Sequence, residues 1–78
     1  MKVHLSGELA FYGPGKRSKF EFAIDRPLPV AEALRLMGVP AADVAVLSVN
    51  GVAERVDDPL VIVTNQARID CYPPTSGG

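Results

Sequence analysis

The sequence predicts an α+β domain in which one main helix packs on a mixed sheet of four to five strands. Period-two alternation of apolar residues recurs at several separate places, whereas three- and four-residue apolar spacing occurs at only one. The chain has 78 residues, 47% of them hydrophobic and 22% charged. That composition is globular and far from the charge-rich profile of a disordered chain. A chain this small has room for one compact core, so no separate catalytic domain is expected.

The elements follow in order. Val3 and Leu5 alternate with Lys2, His4 and Ser6, which predicts a strand with one buried face, and Gly7 ends it. Leu9, Ala10, Phe11 and Tyr12 precede the breaker Gly13-Pro14-Gly15, so residues 8–15 read as a packed loop or short helical turn. Phe20, Phe22 and Ile24 then face one way, with Lys19, Glu21, Ala23 and Asp25 opposite, which gives the clearest strand in the chain. Pro27-Leu28-Pro29 closes it, and Pro29 suits a first helical turn because its missing N–H leaves no bond unmade. Val30, Ala33, Leu34 and Met37 form one face of a helix, Glu32 and Arg35 the other, and Gly38 provides the stop.

Val44 to Val49 is apolar on both alternating faces, as for a central strand covered on each side or for one flanked by a loop. Asn50-Gly51 predicts a tight hairpin into Val52 to Val56, and Asp57-Asp58-Pro59 breaks the return strand. Leu60 to Val63 is a short apolar run, and Thr64-Asn65-Gln66 is a turn. Ala67, Ile69 and Cys71 alternate with Arg68, Asp70 and Tyr72 in a last strand that ends at Pro73-Pro74. The expected domain is therefore residues 1–74, with residues 75–78 as a flexible tail.

Several function classes fall away on charge and spacing. Eight basic against nine acidic residues give a formal charge of −1, which leaves no basic excess for a nucleic-acid backbone. One Cys and one His supply neither a disulfide framework nor a closed zinc site, and no metal is expected. No apolar run reaches signal-peptide or membrane-span length, so a cytoplasmic protein with no membrane partner is expected. Gly13, Gly15 and Lys16 match neither a phosphate loop nor a dinucleotide fingerprint. His4 reads as an exposed surface histidine, Cys71 as a small buried hydrophobe, and Lys16-Arg17-Ser18-Lys19 as a solvated basic loop. Asp57 and Asp58 are adjacent, so in an extended segment they point apart and share no proton.

The carboxyl-terminal stretch is what remains. After the stiff Pro73-Pro74, the residues Thr75, Ser76, Gly77 and Gly78 make a slender thread that spans roughly 13 Å when extended. Without Cβ atoms, Gly77 and Gly78 pass through a pocket too narrow for other residues, and the group they deliver is the Gly78 α-carboxylate. Activated as a mixed anhydride with AMP, that carboxylate is an acyl donor to sulfur or to an amine. Taken alone, Ser76-Gly77-Gly78 reads as a frayed end.

The sequence as a whole resembles the ubiquitin-like sulfur carriers of the MoaD/ThiS family, most closely the small, sulfur-carrier subunit of molybdopterin synthase. The resemblance rests on Lys2-Val3-His4-Leu5, the helix from Val30 to Gly38, Ser48-Val49-Asn50-Gly51, Asp57-Asp58-Pro59-Leu60, and Tyr72-Pro73-Pro74-Thr75-Ser76-Gly77-Gly78. It implies a β-grasp fold and a carrier rather than an enzyme, with no cofactor bound. ATP is used by the partner, a ubiquitin-activating-type adenylyltransferase that activates Gly78. A persulfide sulfur donor then yields a thiocarboxylate, and the tail enters the large subunit of molybdopterin synthase to donate sulfur to cyclic pyranopterin monophosphate. Carried over by position, Gly78 bears the sulfur, Gly77 gives the slender approach, and Tyr72, Pro73, Pro74, Thr75 and Ser76 meet the partner. Where the family commonly has a short acidic Gly-Asp turn, this chain has the longer segment 61–66. Related carriers serve thiamine, cysteine or tRNA thiolation, and the same acyl adenylate serves a protein modifier joined through Gly78. A non-covalent β-grasp module with an idle tail is the third alternative.

Overall fold

Alternating apolar residues form ladders only where partners lie alongside, and the pairing fixes the layout of this chain. The computed structural model describes residues 1–74. In chain order its regular elements are β1 (Lys2–Leu5), β2 (Lys19–Glu21), β3 (Leu28–Pro29), α1 (Val30–Met37), β4 (Val46–Val49), β5 (Val52–Glu54), β6 (Ile62–Val63) and β7 (Arg68–Tyr72). Short 3₁₀ segments at Gly7–Tyr12 and Pro14–Lys16 lie in the β1–β2 connection, and another at Ala41–Asp43 lies between α1 and β4. The main sheet runs β2-β1-β7-β4-β5, and β3 pairs with β6 beside it. Only β1 and β7 are parallel, with Val3 opposite Ile69 and Leu5 opposite Cys71; the other pairs are antiparallel. The result is a small α+β structure with a mixed five-stranded sheet and one main helix.

The pleat sorts the side chains. Val3, Leu5, Leu47, Val49, Ile69 and Cys71 point inward and join Val30, Ala33 and Leu34 of α1 in one buried cluster. Lys2, His4, Lys19, Glu21, Arg68, Asp70, Tyr72, Val46 and Ser48 point outward, and among the described residues no element covers that face. The helix stops by a Schellman arrangement: Gly38 adopts φ +78°, its N–H donates to the Arg35 carbonyl at 3.0 Å, and the Val39 N–H donates to the Leu34 carbonyl at 2.9 Å. Burial of Val39 anchors the chain just beyond that turn. On the exposed side of α1, Arg35 pairs with Glu32 and holds its carboxyl below the usual carboxylate range.

Four details differ from the sequence reading. The second strand runs only to Glu21, although Phe22 still exchanges two hydrogen bonds with Met1 and both Phe22 and Ile24 keep their inward direction. At Ile24 the ladder neighbour is a side chain. The Ile24 N–H donates to Asn65 Oδ1 at 2.9 Å, and Asn65 Nδ2 donates to the Ile24 carbonyl at 2.6 Å. Pro29 stands outside the first turn, in extended conformation at ψ 142°, because Leu28 and Pro29 pair with Val63 and Ile62. A two-stranded ladder tolerates a proline at its edge, where no N–H is required. The strand expected from Val44 begins at Val46, whose side chain is 52% exposed, so β4 is covered on one face only. At Asn50-Gly51 the expected hairpin is present, with φ values of +52° and +84°, and the Asn50 side chain accepts the Arg68 N–H at 2.9 Å. Its return strand is shorter than expected and ends at Glu54.

Asn65→Ala removes both bonds that hold Ile24. The expected loss is about 1–3 kcal/mol, because a half-buried backbone donor and acceptor are left without partners. Urea unfolding monitored by circular dichroism measures it.

Candidate functional site at the exit of the last strand

Strand β7 lies between β1 and β4, so the chain leaves the domain from the middle of the sheet rather than from an edge. The exit point is fixed on both sides. The Ser6 N–H donates to the Cys71 carbonyl at 2.9 Å, and the Ala45 N–H donates to the Tyr72 carbonyl at 2.8 Å. Pro73 then passes over Gly7, which has φ +57°. A Cβ there would sit 3.4 Å from Pro73 Cγ in a backbone conformation that L side chains rarely adopt. The left-handed backbone, not lack of room, is therefore what calls for glycine at this contact. Pro73 is half-buried by this contact and Pro74 is exposed.

Of the site residues expected from sequence, Tyr72, Pro73 and Pro74 are brought together at this exit. Thr75, Ser76, Gly77 and Gly78 lie outside the described residues. Tyr72 faces the open side of the sheet, 39% exposed, directly across from Val46. The two make an apolar spot on a mostly polar face. His4 meets the edge of the Tyr72 ring with centroids 6.1 Å apart, and its Nδ1 lies 3.4 Å from Asp70 Oδ1. The histidine expected to be an exposed surface residue is therefore half-buried among neighbours. The reason is register: His4 stands opposite Asp70 in the parallel β1–β7 ladder. Asp70 also receives Arg68 Nε at 3.5 Å.

On the other side of Pro74 lies a groove of about 450 Å³ between the Gly7–Tyr12 and Ala41–Asp43 segments, lined by Glu8, Leu9, Phe11, Tyr12 and Asp43. The Tyr12 hydroxyl donates to Asp43 Oδ2 at 2.7 Å, and this bond to a carboxylate raises the phenol above its ordinary ionisation range. Lys16 Nζ sits 5.1 Å from the Phe11 ring centroid, a cation over an aromatic face. Sequence reasoning missed Val46 and this groove. Val46 was marked by its place in an all-apolar run, but only the missing cover on one sheet face sets it apart. Nothing in the spacing of Tyr12 and Asp43 signals their contact.

Cys71 is the one reactive side-chain type next to the exit, and it is closed off. Its thiol is fully buried, and burial, assisted by the Asp70 charge, pushes it up to about 11. Among the described residues no cluster of three or more His, Cys, Asp or Glu side chains is placed to hold a metal ion. No helix of the described residues is long and apolar enough to cross a membrane. The chain matches no protein-family model, and no curated protein matches it.

With its thiol protonated and enclosed, Cys71 is expected to resist iodoacetamide in the native protein at pH 8. Modification should appear only on unfolding or as pH rises toward 11, where the thiolate forms. Intact mass after timed alkylation, with and without urea, reads this directly.

Proposed function

We propose that this protein is a β-grasp sulfur carrier whose Gly78 carboxylate is its working group, with molybdopterin synthesis as the destination of the sulfur. The observation that carries the reading is the placement of Tyr72-Pro73-Pro74, which leads from the central strand past an uncovered apolar spot toward Gly77 and Gly78. The sheet order, with parallel first and last strands and one helix on the inner face, is compatible with a β-grasp and supports the same reading.

The chemistry belongs to the terminus and its partners. The Gly78 carboxylate attacks the α-phosphorus of ATP in the adenylyltransferase, and pyrophosphate leaves. The outer sulfur of a persulfide donor attacks the acyl carbon and expels AMP. A thiol then reduces the resulting acyl disulfide, becoming a mixed disulfide with the donor sulfur and releasing the thiocarboxylate. The large synthase subunit presents the pterin precursor to that sulfur. Within this scheme the domain's residues bind and aim. Val46 and Tyr72 offer an apolar contact at the end of β7, and Pro73 rests against Gly7 just beyond it. Energy from docking the sheet holds the small, featureless tail in place.

Incubation with an adenylyltransferase of the activating type, ATP and a persulfide donor is expected to raise the intact mass by the difference between sulfur and oxygen. Deletion of Gly78 abolishes the change. An unchanged mass with an enzyme shown to be competent on another carrier overturns the proposal. Val46→Asp places a charge on the apolar spot without touching the core, and is expected to weaken docking by more than about tenfold with the fold intact. Calorimetric titration against the partner, paired with circular dichroism of the variant, separates these effects.

A further inference from the structure

We propose that the acidic turn at residues 57–60 of one molecule docks into a basic hollow on the open sheet face of a second copy. The turn carries Leu60, which is 86% exposed and is the most exposed large hydrophobic side chain among the described residues. Asp57 and Asp58 precede it. The turn is held in shape by its own bonds: the Leu60 N–H donates to Asp58 Oδ1 at 2.9 Å, the Asp58 N–H to the Arg55 carbonyl at 3.2 Å, and the Val61 N–H to the Asp58 carbonyl at 3.2 Å. Pro59 stiffens it further. A preformed knob loses little conformational freedom when it binds.

The hollow has a volume of about 520 Å³ and lies over β1, β2 and the start of β7, walled by Lys2, His4, Lys19, Arg68, Glu21 and Asp70. The stems of Lys2, Lys19 and Arg68 give it apolar walls beneath charged tips. Asp70 is already engaged by His4 and Arg68. Among the described residues Lys2 and Lys19 make no ion pair, and of the two carboxylates at the hollow only Glu21 opposes them. On the turn, Asp57 is shared with Arg55 at 3.3 Å, while Asp58 uses one oxygen for the Leu60 N–H and keeps the other. An exposed leucine preceded by two aspartates therefore matches an apolar hollow with two lysines outside any ion pair at its rim. Charge and hydrophobicity match together.

One molecule cannot fill its own hollow. The turn follows β5 at one edge of the sheet, and the hollow lies by β2 at the other edge. The contact is therefore heterologous, with the knob of one copy in the hollow of the next, and it extends head to tail as protein concentration rises. It goes beyond the carrier reading and uses neither Gly77 nor Gly78.

Sedimentation velocity of the full chain tests it. At low ionic strength, association is expected to increase from micromolar to millimolar protein and to weaken at about 0.5 M salt, where charges are screened within a few ångströms. Leu60→Ser and Lys19→Glu alter exposed positions, and each is expected to weaken association at least about tenfold. An equimolar mixture of the two variants retains one intact knob and one intact hollow, so it is expected to form 1:1 dimers and nothing larger. A wild-type chain that stays monomeric throughout overturns the proposal, as does a mixture that stays monomeric or association that neither variant weakens. Deleting Gly77 and Gly78 leaves association unchanged, so this result and the thiocarboxylate result stand or fall separately.

Discussion

The parallel pairing of β1 with β7 is the constraint on which the rest of the structure depends. It joins the first strand to the last strand in the centre of the sheet. The chain between them adds β2 on one side of the pair and β4 and β5 on the other, and the longest excursion from the sheet, between β2 and β4, runs through α1 on the inner face. Closing so long a loop costs entropy that is recovered only when the apolar layers meet, so the strand pairing and the core form together. The same pairing decides where the chain emerges: a central strand with bonded neighbours on both edges gives its successor one direction in which to go.

Register then distributes chemistry between the two faces. A slip of one residue in β7 would carry Ile69 and Cys71 to the open side and bury Arg68, Asp70 and Tyr72. Burying an arginine and an aspartate away from water costs far more than any gain from Tyr72, so the observed register is strongly preferred. The open face that results is mostly charged, and Val46 with Tyr72 interrupts it at the end where the chain departs. That contrast, together with the groove beside Pro74, distinguishes this end of the domain.

Much of the architecture was legible because it follows from local signals. Alternation located β1, the start of β2 and β7, the spacing of Val30, Ala33, Leu34 and Met37 located α1, and Gly38 and Asn50-Gly51 placed the helix stop and the hairpin. What was not legible depends on partners distant in sequence. Asn65 acts as a strand neighbour for Ile24, which no propensity reveals. Pro29 sits before the helix because β6 pairs with it, and His4 acquires Asp70 and Tyr72 through a parallel ladder. At the exit, the Tyr72-Pro73-Pro74 run was legible as residue chemistry, but its neighbours Gly7 and Val46 were found only by folding the chain.

The enclosure of Cys71 has a further consequence. Proteins that meet persulfides commonly exchange sulfur with them through their own thiols and accumulate mixed disulfides. In this domain the Cys71 thiol lies buried on the inner face of the sheet with its ionisation pushed up, so folding shields it from such exchange. Any extra sulfur found on the native molecule therefore belongs at a position other than its cysteine.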